Sequence, residues 1–368
     1  MNFRNICVSV VILSIIILFI SCSQEKTEWK GTIAEVDGVT VVKNPKEPMY
    51  AENVFVLEEE LSIGEAEGNE EYMFSQIRDI AVDEEERIYV LEIKESHIKV
   101  FDKNGSYLRT IGKKGQGPGE IGMPSFMSIT KQNEVLVEDP MNRRLTYYSL
   151  NGDFLRSTST AKMTIAQTKI DSFGNILGVV LNIEKKAFEI RKFDPDFNNY
   201  ICSFGAESIS RDNRAYNPFK SPMRWAVSSD NSVVCGFPAK YELQVFNPEG
   251  KIIRKIIKEY DPVEITQEEI EEAKKVVPPG RRLEIPKYHN SFVRFSLTDE
   301  ERIFVQTRER TGDHERYYYD IFDHDGRYIA KVPLKMRPRI WRKNKLYTIE
   351  EDEDGYQYVK RYQVYWKI

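Results

Sequence analysis

IAVDEEERIYVLEIKESHIKVFDKNGSYLRTIGKKGQGPGEIGMP, residues 80–124, decides the architecture of this chain. Read with the three residues before it, the stretch divides into four extended segments. IRDIAVD (77–83) and RIYVLEI (87–93) flank an acidic turn, HIKVFD (97–102) follows a short loop, and FDKNGSYLR (101–109) bends back through Asn104-Gly105. Apolar and β-branched residues supply what pleated, half-buried strands need. Asn-Gly tolerates the positive φ angles of a tight turn, so the third and fourth segments are expected to form a hairpin.

Outward from this unit, the hairpin recurs. FDKNGSYLR from Phe101 is followed by YSLNGDFLR from Tyr148, FDPDFNNYI from Phe193, FNPEGKIIR from Phe246 and FDHDGRYIA from Phe322. Each has an aromatic ending one strand, a turn, and an apolar pair opening the next. The third copy lacks the turn glycine. Second strands are expected to begin near Val135, Ile176, Val233, Ile303 and Leu346. Four strands repeating at roughly 40- to 60-residue intervals are the mark of a propeller blade. The sixth unit supplies only three strands before Ile368. EELSIGEAEGNEEYMF (59–74), which parallels YLRTIGKKGQGPGEIGMP, is expected to supply the fourth and so remove an open sheet edge. The fold class is therefore all-β: a six-bladed β-propeller of four-stranded blades with the N-terminal strand closing the last blade. One short inserted helix is expected within residues 266–287, where Thr266 and Glu269 form a capping box and Pro278-Pro279-Gly280 ends the run.

Residues 80–124 resemble the NHL-repeat type of bacterial six-bladed propeller lipoprotein: strand, Asp, strand, strand, hairpin, then a Gly-rich connector ending in Pro. DGVTVVKNPKEPMY (37–50) is similar to the segment that precedes the ring in such proteins. The resemblance spans roughly residues 35–368. It implies the fold and an exported location, and it leaves activity open because members differ in chemistry.

The first residues agree with export. Arg4 precedes the uncharged run ICVSVVILSIIILFIS (6–21), short for a membrane span and suited to the apolar part of a signal peptide. Ser21-Cys22 then resembles a bacterial lipoprotein processing site, with Phe19 where that pattern usually has Leu. Residues 1–21 are expected to be a signal peptide, with Cys22 lipidated as the first mature residue. A linker or hairpin over 23–50 and the propeller over 51–368 would follow. Cys202 and Cys235 stand apart without CxxC spacing and read as small hydrophobes rather than a disulfide.

A net charge of −5 without a basic stripe argues against nucleic acid as a partner. GKKGQGPGEIG (112–122) leads into Pro124 and a strand, not into a helix whose N-terminus could face a phosphate, so it reads as a connector. The four histidines (His97, His289, His314, His324) are too unevenly spread for a ring-centred zinc site. The runs Glu84–Glu86 and Glu350–Gly355 lack the alternating oxygens of a calcium loop, and no GxSxG elbow occurs. No cofactor or metal is expected.

One constellation suits recognition. Loops between second and third strands open on one face of the ring. They would present Glu92, Lys94 and His97, then Asp139, Asn142, Arg143 and Arg144, then Lys240 and Tyr241, then Arg308. Mixed cations, acids and aromatics at a concave mouth suit a polar ligand. The expected function is a monomeric, lipid-anchored binding or scaffold module of the bacterial envelope, periplasmic or outer-surface, holding a peptide, glycan or partner protein. The alternative is a metal-dependent lyase or hydrolase with its site in the central channel.

Overall fold

The computed structural model describes residues 28–50, 54–209, 212 and 214–368. The signal peptide and Cys22 lie outside the described residues. The first described strands form a hairpin, β1 (Thr32–Val36) and β2 (Val39–Asn44), and β3 (Phe55–Ile63) follows. Blade 1 comprises β4 (Ile77–Val82), β5 (Ile88–Glu92), β6 (His97–Phe101) and β7 (Tyr107–Ile111). Blade 2 comprises β8 (Phe126–Ile129), β9 (Glu134–Asp139), β10 (Arg144–Ser149) and β11 (Phe154–Ser159). Blade 3 comprises β12 (Ile165–Ile170), β13 (Ile176–Asn182), β14 (Ala187–Phe193) and β15 (Tyr200–Ser208), after which comes the two-residue β16 (Ala215–Tyr216).

Blade 4 holds β17 (Arg224–Val227), β18 (Val233–Phe237), β19 (Glu242–Phe246) and β20 (Ile252–Lys258). Helix α1 (Gln267–Lys275) and β21 (Arg282–Leu283) precede blade 5, which holds β22 (Phe292–Leu297), β23 (Ile303–Arg310), β24 (Tyr317–Phe322) and β25 (Tyr328–Leu334). Blade 6 is β26 (Pro338–Arg342), β27 (Lys345–Glu351), β28 (Gln357–Trp366) and, as its outer strand, β3. Val359 pairs with Ile63 and Trp366 with Phe55, so the expected closure forms.

Six apolar cores fill the six interfaces between neighbouring blades, which is why no blade is stable alone. Tyr89 and Ile98 of blade 1 meet Met127 and Val137 of blade 2 in one of them. Phe304 of blade 5 packs on Trp341 of blade 6 at 4.2 Å between ring centroids in another. The turn glycines serve these interfaces. Gly326, at φ +87°, lies where a Cβ would stand 2.6 Å from Ile256 of the preceding blade. The third hairpin, without glycine, places Phe197 at φ 59° and holds it by packing on Phe193 at 4.6 Å.

The N-terminal hairpin extends a blade beyond what the repeat prescribes. β2 runs parallel to β20, making blade 4 six-stranded. Asn44, 2% exposed, clamps it by donating to the carbonyls of Ile257 and Gly326 while accepting from the Tyr328 N–H. Helix α1 carries the expected capping box, and its Ala273 packs with Phe219 and Ile265. Cys202 and Cys235 are free thiols. No helix among the described residues is long and apolar enough to cross a membrane.

Candidate functional site

The first strand of each blade faces the ring axis, and there a cavity of about 640 Å³ opens. Its wall is cationic: Arg78 from β4, Lys169 from β12, Arg224 from β17, Arg294 from β22, Arg339 from β26, and Arg337 just before β26. Asp79 is the one carboxylate among the described lining residues. Phe126, Trp225, Phe295 and Tyr319 supply aromatic surface. A mildly acidic protein thus concentrates positive charge in a recess where low-dielectric walls focus the field.

None of the six cations forms a salt bridge among the described residues. Arg78 Nε donates to the Ser125 carbonyl at 3.0 Å, and Arg224 Nε to the Val293 carbonyl at 3.1 Å, the residue before Arg294. Among the described residues, the buried Nε atoms of Arg294 and Arg339 have no hydrogen-bond partner, nor has the indole nitrogen of Trp225, a residue 7% exposed. Native interiors pair nearly all such donors, so their grouping marks a place built for an acceptor.

Electrostatics repeat the point. Burial and the guanidiniums of Arg339, Arg294 and Arg224 pull Arg337 down to about 9, still charged at neutral pH. Burial lowers Arg224, Arg294 and Arg339, and the Arg294 charge adds to the lowering at Arg224 and Arg339. Asp79 is pushed up by burial, against opposing hydrogen bonds from the Met127 and Ile80 N–H groups and the charges of Arg339 and Lys169. Lys169 is pulled down by burial, with Asp79 opposing. Its ammonium sits 5.1 Å from the Phe126 ring centroid and 5.8 Å from that of Trp225, a cation–π contact with both rings.

The ten residues expected at the mouth do not line this cavity, and several are committed elsewhere. Glu92 is buried, accepting from Ser75 and pairing with His97 and Lys99. Asp139 accepts from the N–H groups of Gly122 and Met123 and from Asn142, while Arg144 donates to the carbonyls of Gly117 and Glu120. These three side chains hold the Gly-rich connector, which is a structural strap as its sequence suggested. Tyr241 is interior, bonded to Asp320. Arg308 donates to Ser221 Oγ at 3.1 Å. Lys94, Arg143 and Lys240 are exposed on separate blades.

The cationic wall was missed although a signal existed: five of the six first strands carry a Lys or Arg among the channel-lining positions. Four of these bases stand alone in their own strands; only Arg339 has basic neighbours, in the run from Lys335 to Lys345.

A family described as 6-bladed beta-propeller (DUF5128) matches residues 65–200, from before blade 1 to the start of the last strand of blade 3. A putative exported protein from Bacteroides fragilis superposes with a TM-score of 0.60 at 13% identity, covering 89% of this chain and 100% of that one. A member of the duf4221 family from Bacteroides vulgatus gives 0.51 at 12% identity, over 85% and 99% of the two chains. A gluconolactonase from Xanthomonas campestris gives 0.43 at 9% identity over 78% and 87%. Among curated proteins, none matches the chain. The protein is a six-bladed β-propeller, and likenesses at these identities concern the ring alone.

Proposed function

We propose that this propeller is an exported binding module whose central channel holds an anionic ligand. One observation carries the reading: six cations without ion-pair partners among the described residues line one recess with a single carboxylate. The signal-like residues 1–21, the processing-site pattern at Cys22 and the fold shared with a putative exported protein support export. The NHL-type resemblance and a lipid anchor at Cys22 belong to the same proposal, as does a free acid or acidic glycan as ligand, in place of the peptide or partner protein at the mouth.

Arg294 is the test residue, since its charge acts on Arg224, Arg308, Arg337 and Arg339. Charge-assisted hydrogen bonds are worth about 1.5–3 kcal/mol, so Arg294→Met should weaken anion binding roughly 10- to 100-fold. The same change relieves like-charge repulsion, so the ligand-free variant should melt no lower than the parent. Calorimetric titration of citrate and inorganic phosphate, with melting curves alongside, reads both effects. Unchanged affinity in Arg294→Met, or no anion binding to the parent at low salt, would remove the proposal.

A second reading, a lyase or hydrolase, draws on one observation: Asp79 is raised and Lys169 lowered within the same cavity, as acid–base pairs often are. A version dependent on a divalent cation would have Asp79 as its one lining carboxylate. Turnover of a bound ligand, abolished by Lys169→Met with binding retained, distinguishes this reading from a binding module.

A further inference from the structure

Four of the six cations come from blades 4 to 6. Arg224, Arg294 and Arg337 come from blade 4, blade 5 and the entry to blade 6, three successive sectors of the ring. Arg224 is fixed against β22 by its bond to the Val293 carbonyl. Arg308, on the strand behind Arg294, is tied to Ser221 Oγ and has its own buried Nε unpartnered. No lining carboxylate comes from this side. Asp79, on β4, is occupied by the Met127 and Ile80 N–H groups.

Beside this group lies a different surface. Trp225 follows Arg224 in β17, is 7% exposed, and lines the cavity with its indole nitrogen unpartnered. Phe126 and Phe295 line the cavity with it. The recess therefore has guanidiniums from three neighbouring sectors, with Arg224 and Arg294 both acting on Arg337, beside an aromatic wall with one spare donor.

Three guanidiniums supplied from three sectors of the ring suit an anion with three terminal oxygens arranged around a centre. A carboxylate is planar and offers two. A phosphate monoester carries about −1.5 to −2 charges at neutral pH and three strong acceptors. A sulfate monoester has the same geometry with one charge. Aromatic side chains beside polar donors suit the face of a ring that also bears hydroxyls.

We infer that the channel, as an anion site of the kind proposed above, selects a tetrahedral oxyanion ester carried on a polar ring such as a sugar. The ester group sits among Arg224, Arg294 and Arg337, and the ring lies toward Trp225. Phosphate and sulfate esters share this chemistry and differ in titration, since only the phosphate ester takes up a proton near pH 6.

The experiment is calorimetric titration of the protein with glucose 6-phosphate, glucose 6-sulfate, glucuronate and inorganic phosphate at pH 7.5 and pH 5. At least one ester should bind about tenfold or more tighter than glucuronate, a difference worth about 1.4 kcal/mol. A phosphate preference should weaken at pH 5, whereas a sulfate preference should persist. Arg337→Gln, which removes the charge of a lining side chain outside the strands, should lower ester affinity more than glucuronate affinity. Trp225→Phe, which keeps a ring and removes the indole donor, should lower ester affinity without affecting inorganic phosphate.

Equal binding of glucuronate and both esters would overturn the head-group assignment while leaving an anion channel. Inorganic phosphate binding as tightly as either ester would overturn the ring. Failure of every anion, citrate included, would remove the anion channel itself.

Discussion

A chain shortened to begin at residue 65 should lose its cooperative thermal transition and aggregate, whereas one beginning at residue 54 should still melt as a unit. The difference is β3. Its pairing with β28 runs from Ile63–Val359 to Phe55–Trp366 and completes blade 6. Val54 and Phe55 are buried in the core between blades 5 and 6, and Ile63 in the core between blades 6 and 1. Its removal therefore opens two of the six interfaces at once.

Burial of a large apolar side chain stabilises by about 1.5–3 kcal/mol, so these residues and the lost ladder approach the roughly 5–15 kcal/mol that holds a domain together. The exposed edge of β28 would also invite pairing with other chains. The chain beginning at residue 54 keeps the clasp and loses the β1–β2 hairpin with Asn44, so it should melt lower but cooperatively. Circular dichroism melts with size-exclusion chromatography measure this. A cooperative melt of the residue-65 chain at the full-length temperature would show that the clasp does not hold the ring.

Asp320→Ala should destabilise by about 3–5 kcal/mol, the usual cost of leaving a buried charge without its partner. Asp320 is 1% exposed and accepts from Tyr241 and from Tyr328, the latter at 2.7 Å. The Lys258 ammonium lies 3.5 Å away, itself buried between blades 4 and 5 and 4.6 Å from the Tyr328 ring centroid. Burial and the Asp320 charge push both tyrosine hydroxyls well above their ordinary range, so they remain donors. Removing the carboxylate strands one ammonium and two hydroxyls in an apolar interface. Replacing both charges, Lys258→Met with Asp320→Asn, should recover most of the loss because no unpaired ion is left. Denaturant titrations of Lys258→Met, Asp320→Asn and the double variant give the coupling. A double variant no more stable than Asp320→Ala would mean that the ion pair is not the source.

How far the sequence could be read varied with the range of the interactions. The hairpins at Phe101, Tyr148, Phe246 and Phe322 were legible because a turn needs only a few consecutive residues. The capping box Thr266–Glu269 was legible for the same reason and forms as expected. Glu92, Asp139 and Tyr241 read as mouth residues because polar groups beside loops look solvated in one dimension. In space each meets a partner from another segment: Ser75, Gly122 and Asp320.

By itself, the order of residues determined the blade: alternation sets the strands, Gly and Asx residues set the turns, and repetition sets the number of sheets. It also determined the closure, since an incomplete sixth unit and a matching strand at residues 59–63 imply each other. Only the tertiary structure decided the site. Arg78, Lys169, Arg224, Arg294 and Arg339 belong to different strands of the chain, and closing the ring turns the five bases toward one axis. Electrostatic fields add through space rather than along the chain, so a protein of net charge −5 can enclose a positive channel.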